Sequence, residues 1–300
     1  MARPKKYLQK TVIAGDTIEI YKTQSSRYGL SIPRDENVGK TPEATVRNNQ
    51  RLAERRLRQI INANFKDDDY HLIYKYFEHT HPANWKEAVE EMRRYWRRIQ
   101  YEAKKAGIEL RYIWAIETGK RGSIHFHVIV NKIEKKAELS FFQKQWKRQV
   151  TGEDGKKTWI KLGPVYCMSL WSDGQYNDLA KYIIKQTSET FREMKGKRWN
   201  CSRNLIKPKE TVKEVKASQW RQEPKPPKGY VFDPSFPLEN GVCAVTGLRY
   251  QRYGLIRIER QRWRRMQISD EEGKDSESQS ETSPKNSRET FHEGPAETPC

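Results

Sequence analysis

The spacing of hydrophobic and polar positions changes abruptly between residues 85 and 130. Trp85, Ala88, Val89, Met92, Trp96, Ile99 and Ala103 recur at helical period, so Trp85 to Lys105 reads as an amphipathic helix. Trp96 belongs to its core stripe, and Arg93, Arg94, Arg97 and Arg98 belong to its solvated face. Beyond it the period drops to two. Leu110 to Glu117 alternates as a half-buried strand should, and Ile124 to Val130 is a run of strand-favouring residues. The intervening Thr-Gly-Lys-Arg-Gly-Ser carries two glycines, a hairpin signal. Side chains alternate along a strand, so His125, His127 and Ile129 share a face opposite to Phe126 and Val128. Pairing symmetric about the loop sets Glu117 across from His125 and Ala115 across from His127. Two imidazoles and a carboxylate then share one face, with a small residue beside them.

Elsewhere the pattern is coarser. Thr11–Ala14 and Thr17–Tyr21 flank Gly15-Asp16 as a short hairpin, followed by a loop. A helix opens near Thr41 with Pro42 just inside its start and runs to about Asn62. Leu52, Leu57, Ile60 and Ile61 lie on one side of it. Its Arg47, Arg51, Arg55, Arg56 and Arg58 are candidate phosphate contacts. Tyr70 to Phe77 reads as a strand. His79-Thr80-His81 precedes Pro82 at that strand's end, where no regular strand holds both rings on one face, so this second His-x-His is not expected to bind metal. Ala137 to Gln149 reads as a helix bearing Leu139, Phe142 and Trp146, then Thr151–Lys157 as a loop and Pro164–Leu170 as a strand.

Ser172-Asp173-Gly174 caps a further helix that frays near Thr190. Asp178, Tyr182 and Lys185 fall on one of its flanks, and Tyr176, Ala180, Ile183 and Thr187 on the opposite, more apolar one. A phenol between a lysine and a carboxylate suits a nucleophile better than a packing group. In the basic loop after this helix, Arg198 beside Trp199 suits single-strand binding, where bases stack on rings and phosphates meet cations. With Arg203 and Lys181 they are the candidate DNA contacts. Pro224–Lys228 is a stiff linker, Gly241–Ile258 a two-stranded ribbon, and Glu259–Met266 a short basic helix. From Ser269 onward periodicity is lost and disorder is expected. The resulting division is 1–40, 41–223, 224–268 and an acidic tail, 269–300. Mixed strands and helices with an antiparallel hairpin predict an α+β fold, a central antiparallel sheet carrying the His-x-His strand with helices packed on it.

Charge sharpens this picture. The chain carries +19 over 300 residues, but its last 32 residues hold nine acidic groups against three basic ones, net −6, which leaves +25 for the rest. A body that basic predicts a polyanionic partner and salt-sensitive binding. No apolar run reaches membrane-spanning length and no signal-peptide pattern follows Met1, so a cytoplasmic protein is expected. Cys167, Cys201, Cys243 and Cys300 are scattered, which argues against a zinc ribbon or a disulfide framework. No Gly-x-x-x-x-Gly-Lys loop is present, which argues against an ATPase module.

Glu117-x7-His125-Phe-His127 followed by Tyr182-x-x-Lys185 on a helix resembles the HUH-type endonucleases, and more narrowly the rolling-circle replication initiators of bacterial plasmids and single-stranded DNA phages. The resemblance spans about Asn48 to Lys207. It implies a Mg²⁺ or Mn²⁺ site at Glu117, His125 and His127, a nucleophile at Tyr182 and a supporting Lys185. It also implies strand-specific nicking of a single-stranded or extruded origin through a 5′-phosphotyrosine link, with host polymerase and helicase as partners in a bacterial cytoplasm. Where the family's first strand often carries threonines, Tyr74 and Tyr76 stand here. Asp178 occupies the position of a second tyrosine, so the chain resembles a single-tyrosine form. A relaxase or single-tyrosine transposase would use the same chemistry, and a non-enzymatic basic nucleic-acid-binding protein with packed histidines is a third reading.

Overall fold

The computed structural model describes residues 6–25, 43–119, 122–133, 139–171, 175–188, 197–242 and 247–258. The expected basic helix at 259–266 and the acidic tail lie outside the described residues, as do the proposed cap at 172–174 and the expected fraying near Thr190.

The fold is α+β. Its centre is an antiparallel sheet of five strands in the order β8 (Val165–Ser169), β3 (Tyr70–Tyr74), β5 (Ile124–Val130), β4 (Tyr112–Thr118) and β9 (Asn200–Cys201). The hairpin β4–β5 has the expected register, with Glu117 opposite His125 and Ala115 opposite His127. The His-x-His strand is the middle one, flanked by β4 and β3.

Helices cover both faces of this sheet. One face packs on α2 (Trp85–Lys105) and α3 (Leu139–Gln145), burying Leu72, Tyr74, Trp114, Phe126 and Val128 among Met92, Tyr95, Trp96 and Phe142. The other packs on α1 (Glu43–Asn64) and α4 (Asn177–Gln186), burying Ile113, Ala115 and Ile129 among Leu57, Ile61, Ala180 and Ile183. The strand expected to be half-buried is therefore closed on both sides, from Tyr112 to Ile116. α2 has the predicted boundaries, and Asn84 caps it by accepting from the backbone N–H of Lys86 and Glu87.

Two expectations need correction. The helix expected over 137–149 ends at Gln145; Lys147–Thr151 is β6, paired with β7 (Lys157–Lys161) around a turn in which Gly155 has φ 75°. Phe142 and Trp146 suggested one helical stripe, yet Trp146 lies just past the helix. Its indole N–H donates to the Lys75 carbonyl at 2.9 Å. Arg58, read as a phosphate contact, is buried and paired with Glu19.

The second sheet joins distant parts of the chain. β1 (Lys6–Ala14) and β2 (Thr17–Ser25) form the expected hairpin. β1 pairs with β10 (Lys209–Val215), and β2 with β13 (Arg249–Arg257), which also pairs with β11 (Tyr230–Phe232) and β12 (Glu239–Val242). Strands from segments 1–40 and 224–268 thus hydrogen-bond in one sheet.

Candidate active site

Three cross-strand rows build the site on the α1/α4 face. His127 lies between Ile73 on β3 and Ala115 on β4. His71 pairs with Ile129 one row away, and Glu117 pairs with His125 one row in the other direction. Because pleating sends alternate residues to one side, all of these side chains point at the same helices. Across the β4–β5 hairpin His127 Nε2 meets Glu117 Oε2 at 2.8 Å. On its other side His127 Nδ1 meets His71 Nε2 at 3.3 Å, the two rings stacking at 5.5 Å between centroids. The three groups form a relay with His127 in the middle. With Nε2–H donating to the carboxylate, His127 Nδ1 accepts a proton from His71.

Burial sets the electrostatics. The His71 imidazole is pushed down to about 4 by burial and then by the neighbouring His127, so it is neutral at pH 7. His125 is also lowered, first by burial and next by the Lys75 ammonium, while Glu117 works in the opposite direction. Lys75 follows β3 by one residue and its Nζ sits 5.2 Å over the Tyr166 ring.

Tyr182 reaches this cluster from α4. Its ring stands edge-on to His127 at 5.4 Å and to His71 at 6.3 Å between centroids. The phenol is 41% exposed, open to a substrate although its ring touches buried groups. Burial raises its pKa, and the Glu117 carboxylate adds to the shift. The predicted helix faces are those observed: Asp178, Tyr182 and Lys185 are exposed, whereas Ala180, Ile183 and Thr187 are buried. Tyr176 is the N-cap residue of α4, buried, with its hydroxyl donating to Asp67 Oδ1 at 3.2 Å.

The structure thus brings Glu117, His127 and Tyr182 together, with His125 in the row beside them. Their donor chemistry suits a hard divalent ion, since imidazole nitrogen and carboxylate oxygen are its usual protein ligands. Among the described residues, however, no group of three His, Cys, Asp or Glu side chains converges on one point that could hold a metal ion. Glu117 and His127 are in contact; His125 is not gathered to them.

The candidate DNA contacts are dispersed. Arg198 and Trp199 line a groove of about 880 Å³ together with Lys197 and, on α1, Leu52 and Arg56. Trp199 is half-buried against the α1/α4 core. Lys181 is exposed and pairs with Asp178 at 3.3 Å. Arg203 instead lines a recess beside Arg93 and Arg97 of α2. His79 lies in a 3₁₀ turn, Glu78–Thr80, while His81 accepts the Ile124 backbone N–H at 3.1 Å and so pins the start of β5.

Sequence reasoning missed His71 and Lys75. The signal was present: on β3 the positions 71, 73 and 75 form one face and Leu72, Tyr74 and Tyr76 the other. Attention to the tyrosines hid the histidine. Tyr74 is wholly buried on the α2 face, its hydroxyl 2.5 Å from that of Tyr95, which makes it a packing residue.

One comparison now bears on this geometry. Residues 70–187 match the family model of the Replication-associated protein ORF2 group. The matched region contains β3, the β4–β5 hairpin and α4, hence every residue of the relay and Tyr182. It points to a replication initiator family and a role in replication initiation. α1, the second sheet and the groove residues 197–201 lie outside it. No curated protein and no solved structure gives a significant match. Among the described residues no helix is long and apolar enough to cross a membrane, and Cys167 and Cys201 are free thiols.

Proposed function

We propose that this chain is an HUH-type DNA endonuclease that nicks and rejoins one strand at an origin to start rolling-circle replication. The observation that carries the reading is the Tyr182 ring, edge-on to His127 at 5.4 Å, with His127 bound to Glu117 at 2.8 Å. A nucleophile-type side chain and a set of N/O donors, carried by different elements, meet at a partly open surface.

In the proposed reaction the Tyr182 oxygen gives up its proton and attacks the scissile phosphorus. The bond from phosphorus to the 3′-oxygen breaks, that oxygen takes up a proton, and a 5′-phosphotyrosine forms. Reversal by a free 3′-hydroxyl rejoins the strand, so no nucleotide cofactor is consumed. Glu117, His127 and His125 would hold the Mg²⁺ or Mn²⁺, which supplies charge stabilisation to the phosphate when bound. Lys185, exposed one turn beyond Tyr182, and Lys75, beside His125, supply cationic charge toward the same phosphate. Arg198, Trp199 and Arg56 offer cations and one ring to the adjoining single strand, and the outward-facing Lys181 and Arg203 meet flanking phosphates. Host polymerase and helicase would act on the exposed 3′-end and the displaced strand. The match to a replication-associated family favours replication over conjugal transfer or transposition.

The test is incubation with single-stranded oligonucleotides and Mn²⁺, reading adducts on denaturing gels. The wild type forms an adduct, and Tyr182→Phe binds the oligonucleotide but forms none. An adduct formed equally by the phenylalanine variant would overturn the assignment.

A further inference from the structure

The helix that carries Tyr182 does not cap itself. Tyr176 at its N-cap makes no side-chain cap hydrogen bond, although the first turn of any helix leaves backbone N–H groups to satisfy. Two side chains of α1 fill that role, and each is tied in turn to β2. Asn62 Oδ1 accepts the Tyr176 backbone N–H at 2.9 Å, while its Nδ2 donates to Thr17 Oγ1 at 3.1 Å. Arg58 Nη1 donates to Asn177 Oδ1 at 3.0 Å, while its Nε and Nη2 donate to Glu19 Oε1 at 3.0 and 2.5 Å. Thr17, Glu19, Arg58, Asn62 and Asn177 are all buried, none more than 8% exposed.

The β1–β2 turn is fitted to α1 at the same level. Gly15 has φ 58°, and a Cβ there would fall 2.1 Å from the Asn62 carbonyl oxygen, so the backbones meet with no room for a side chain. A guanidinium forked between a carboxylate and an amide is a directional contact in a low-dielectric site, where each bond holds its partners closely. The path Glu19–Arg58–Asn177 ends five residues before Tyr182.

We propose that the second sheet, outside the family-matched region, acts through Thr17 and Glu19 on Asn62 and Arg58 as a clamp that sets the position of α4, making these four positioning residues for Tyr182. The proposal rests on the catalytic reading of Tyr182 only for its effect on rate. Its effect on α4 stands apart from any chemistry. A clamp of this kind gives a use to the N-terminal hairpin and the three C-terminal strands that share one sheet with it. Displacements of about 1 Å at a reacting group cost on the order of a hundredfold in rate, so a clamp has a measurable consequence.

The test uses the full chain. Removing Arg58 would leave Glu19 buried without its cation and could unfold the protein, so Asn177→Ala is the primary variant: it removes the acceptor on α4 and leaves the Glu19–Arg58 pair. Hydrogen exchange read by mass spectrometry should show lost protection in residues 177–187 with α2 unchanged. The rate of adduct formation at saturating oligonucleotide should fall about tenfold or more, with oligonucleotide affinity held within about twofold. Asn177→Asp keeps an oxygen facing Arg58 and should restore both protection and rate. Unchanged protection in Asn177→Ala would overturn the clamp, as would lost protection with an unchanged rate, or failure of the aspartate to rescue. If the wild type forms no adduct at all, the catalytic reading fails, and the exchange data alone decide whether the clamp exists.

Discussion

The two faces of the central sheet are built from the same three strands but do different work. On the α2/α3 face Tyr74, Tyr95, Trp146 and Phe126 pack as a dense aromatic cluster, and Trp96 stacks on Tyr112 with centroids 3.6 Å apart. That face is a closed core. On the α1/α4 face the strands contribute Ala115, Ile113 and Ile129, smaller groups that leave space beside His71, His127 and Glu117. A phenol on the first face, Tyr74, is sealed with its pKa driven far upward by burial. A phenol over the second, Tyr182, keeps its oxygen near solvent. A one-residue shift along a strand therefore separates packing from chemistry.

Substitutions on the two faces should fail in opposite ways. The largest effect is expected for His127→Ala and Glu117→Ala, which should lose adduct formation altogether and bind Mn²⁺ more weakly by calorimetric titration, while still unfolding cooperatively. Undiminished Mn²⁺ binding by the His125→Ala/His127→Ala double variant would remove the proposed donor set. Phe126, between the two histidines, should behave conversely. Phe126→Ala deletes a fully buried ring and should cost about 3–5 kcal/mol in denaturant unfolding. Activity per folded molecule should survive better than in the histidine variants.

A smaller effect separates the two tyrosines of the α4 region. Tyr176→Phe removes a hydroxyl bonded to Asp67 and should cost about 1 kcal/mol while keeping adduct formation. Loss of the adduct in that variant would place the nucleophile on the wrong side of the helix. The smallest effect is expected from deleting residues 269–300. Folding and nicking should remain, and removal of net charge −6 should leave DNA affinity unchanged or slightly higher at low salt. A large drop in thermal midpoint would contradict this.

Local pattern carried a large part of the structure. Alternation on two runs around a glycine loop fixed the register of Glu117 with His125, since a one-residue slip would have exposed every buried position of the hairpin. The stripe from Trp85 to Ala103 fixed α2, and the exposed flank of α4 followed from residue spacing alone. Long-range pairings were not legible in the same way. Nothing local in Lys6–Ala14 says that it pairs with Lys209–Val215, since both strands read as half-polar ribbons. The role of Arg58 was hidden for the same reason: its partners Glu19 and Asn177 lie 39 and 119 positions away in the chain. In Trp146 a side chain at helical spacing satisfied the pattern while its backbone had already left the helix. His71 was legible but overlooked, because a histidine in an apolar strand gains meaning only beside its cross-strand neighbour.

The central claim is that Tyr182, standing against His127, is the group that bonds to DNA. Peptide mapping of the wild-type adduct by mass spectrometry tests it most directly. The account predicts a nucleotide attached through its 5′-phosphate to the peptide containing Tyr182, at that residue. Attachment at Tyr176 or any other residue, or a phosphate linked through its 3′-oxygen, would contradict it.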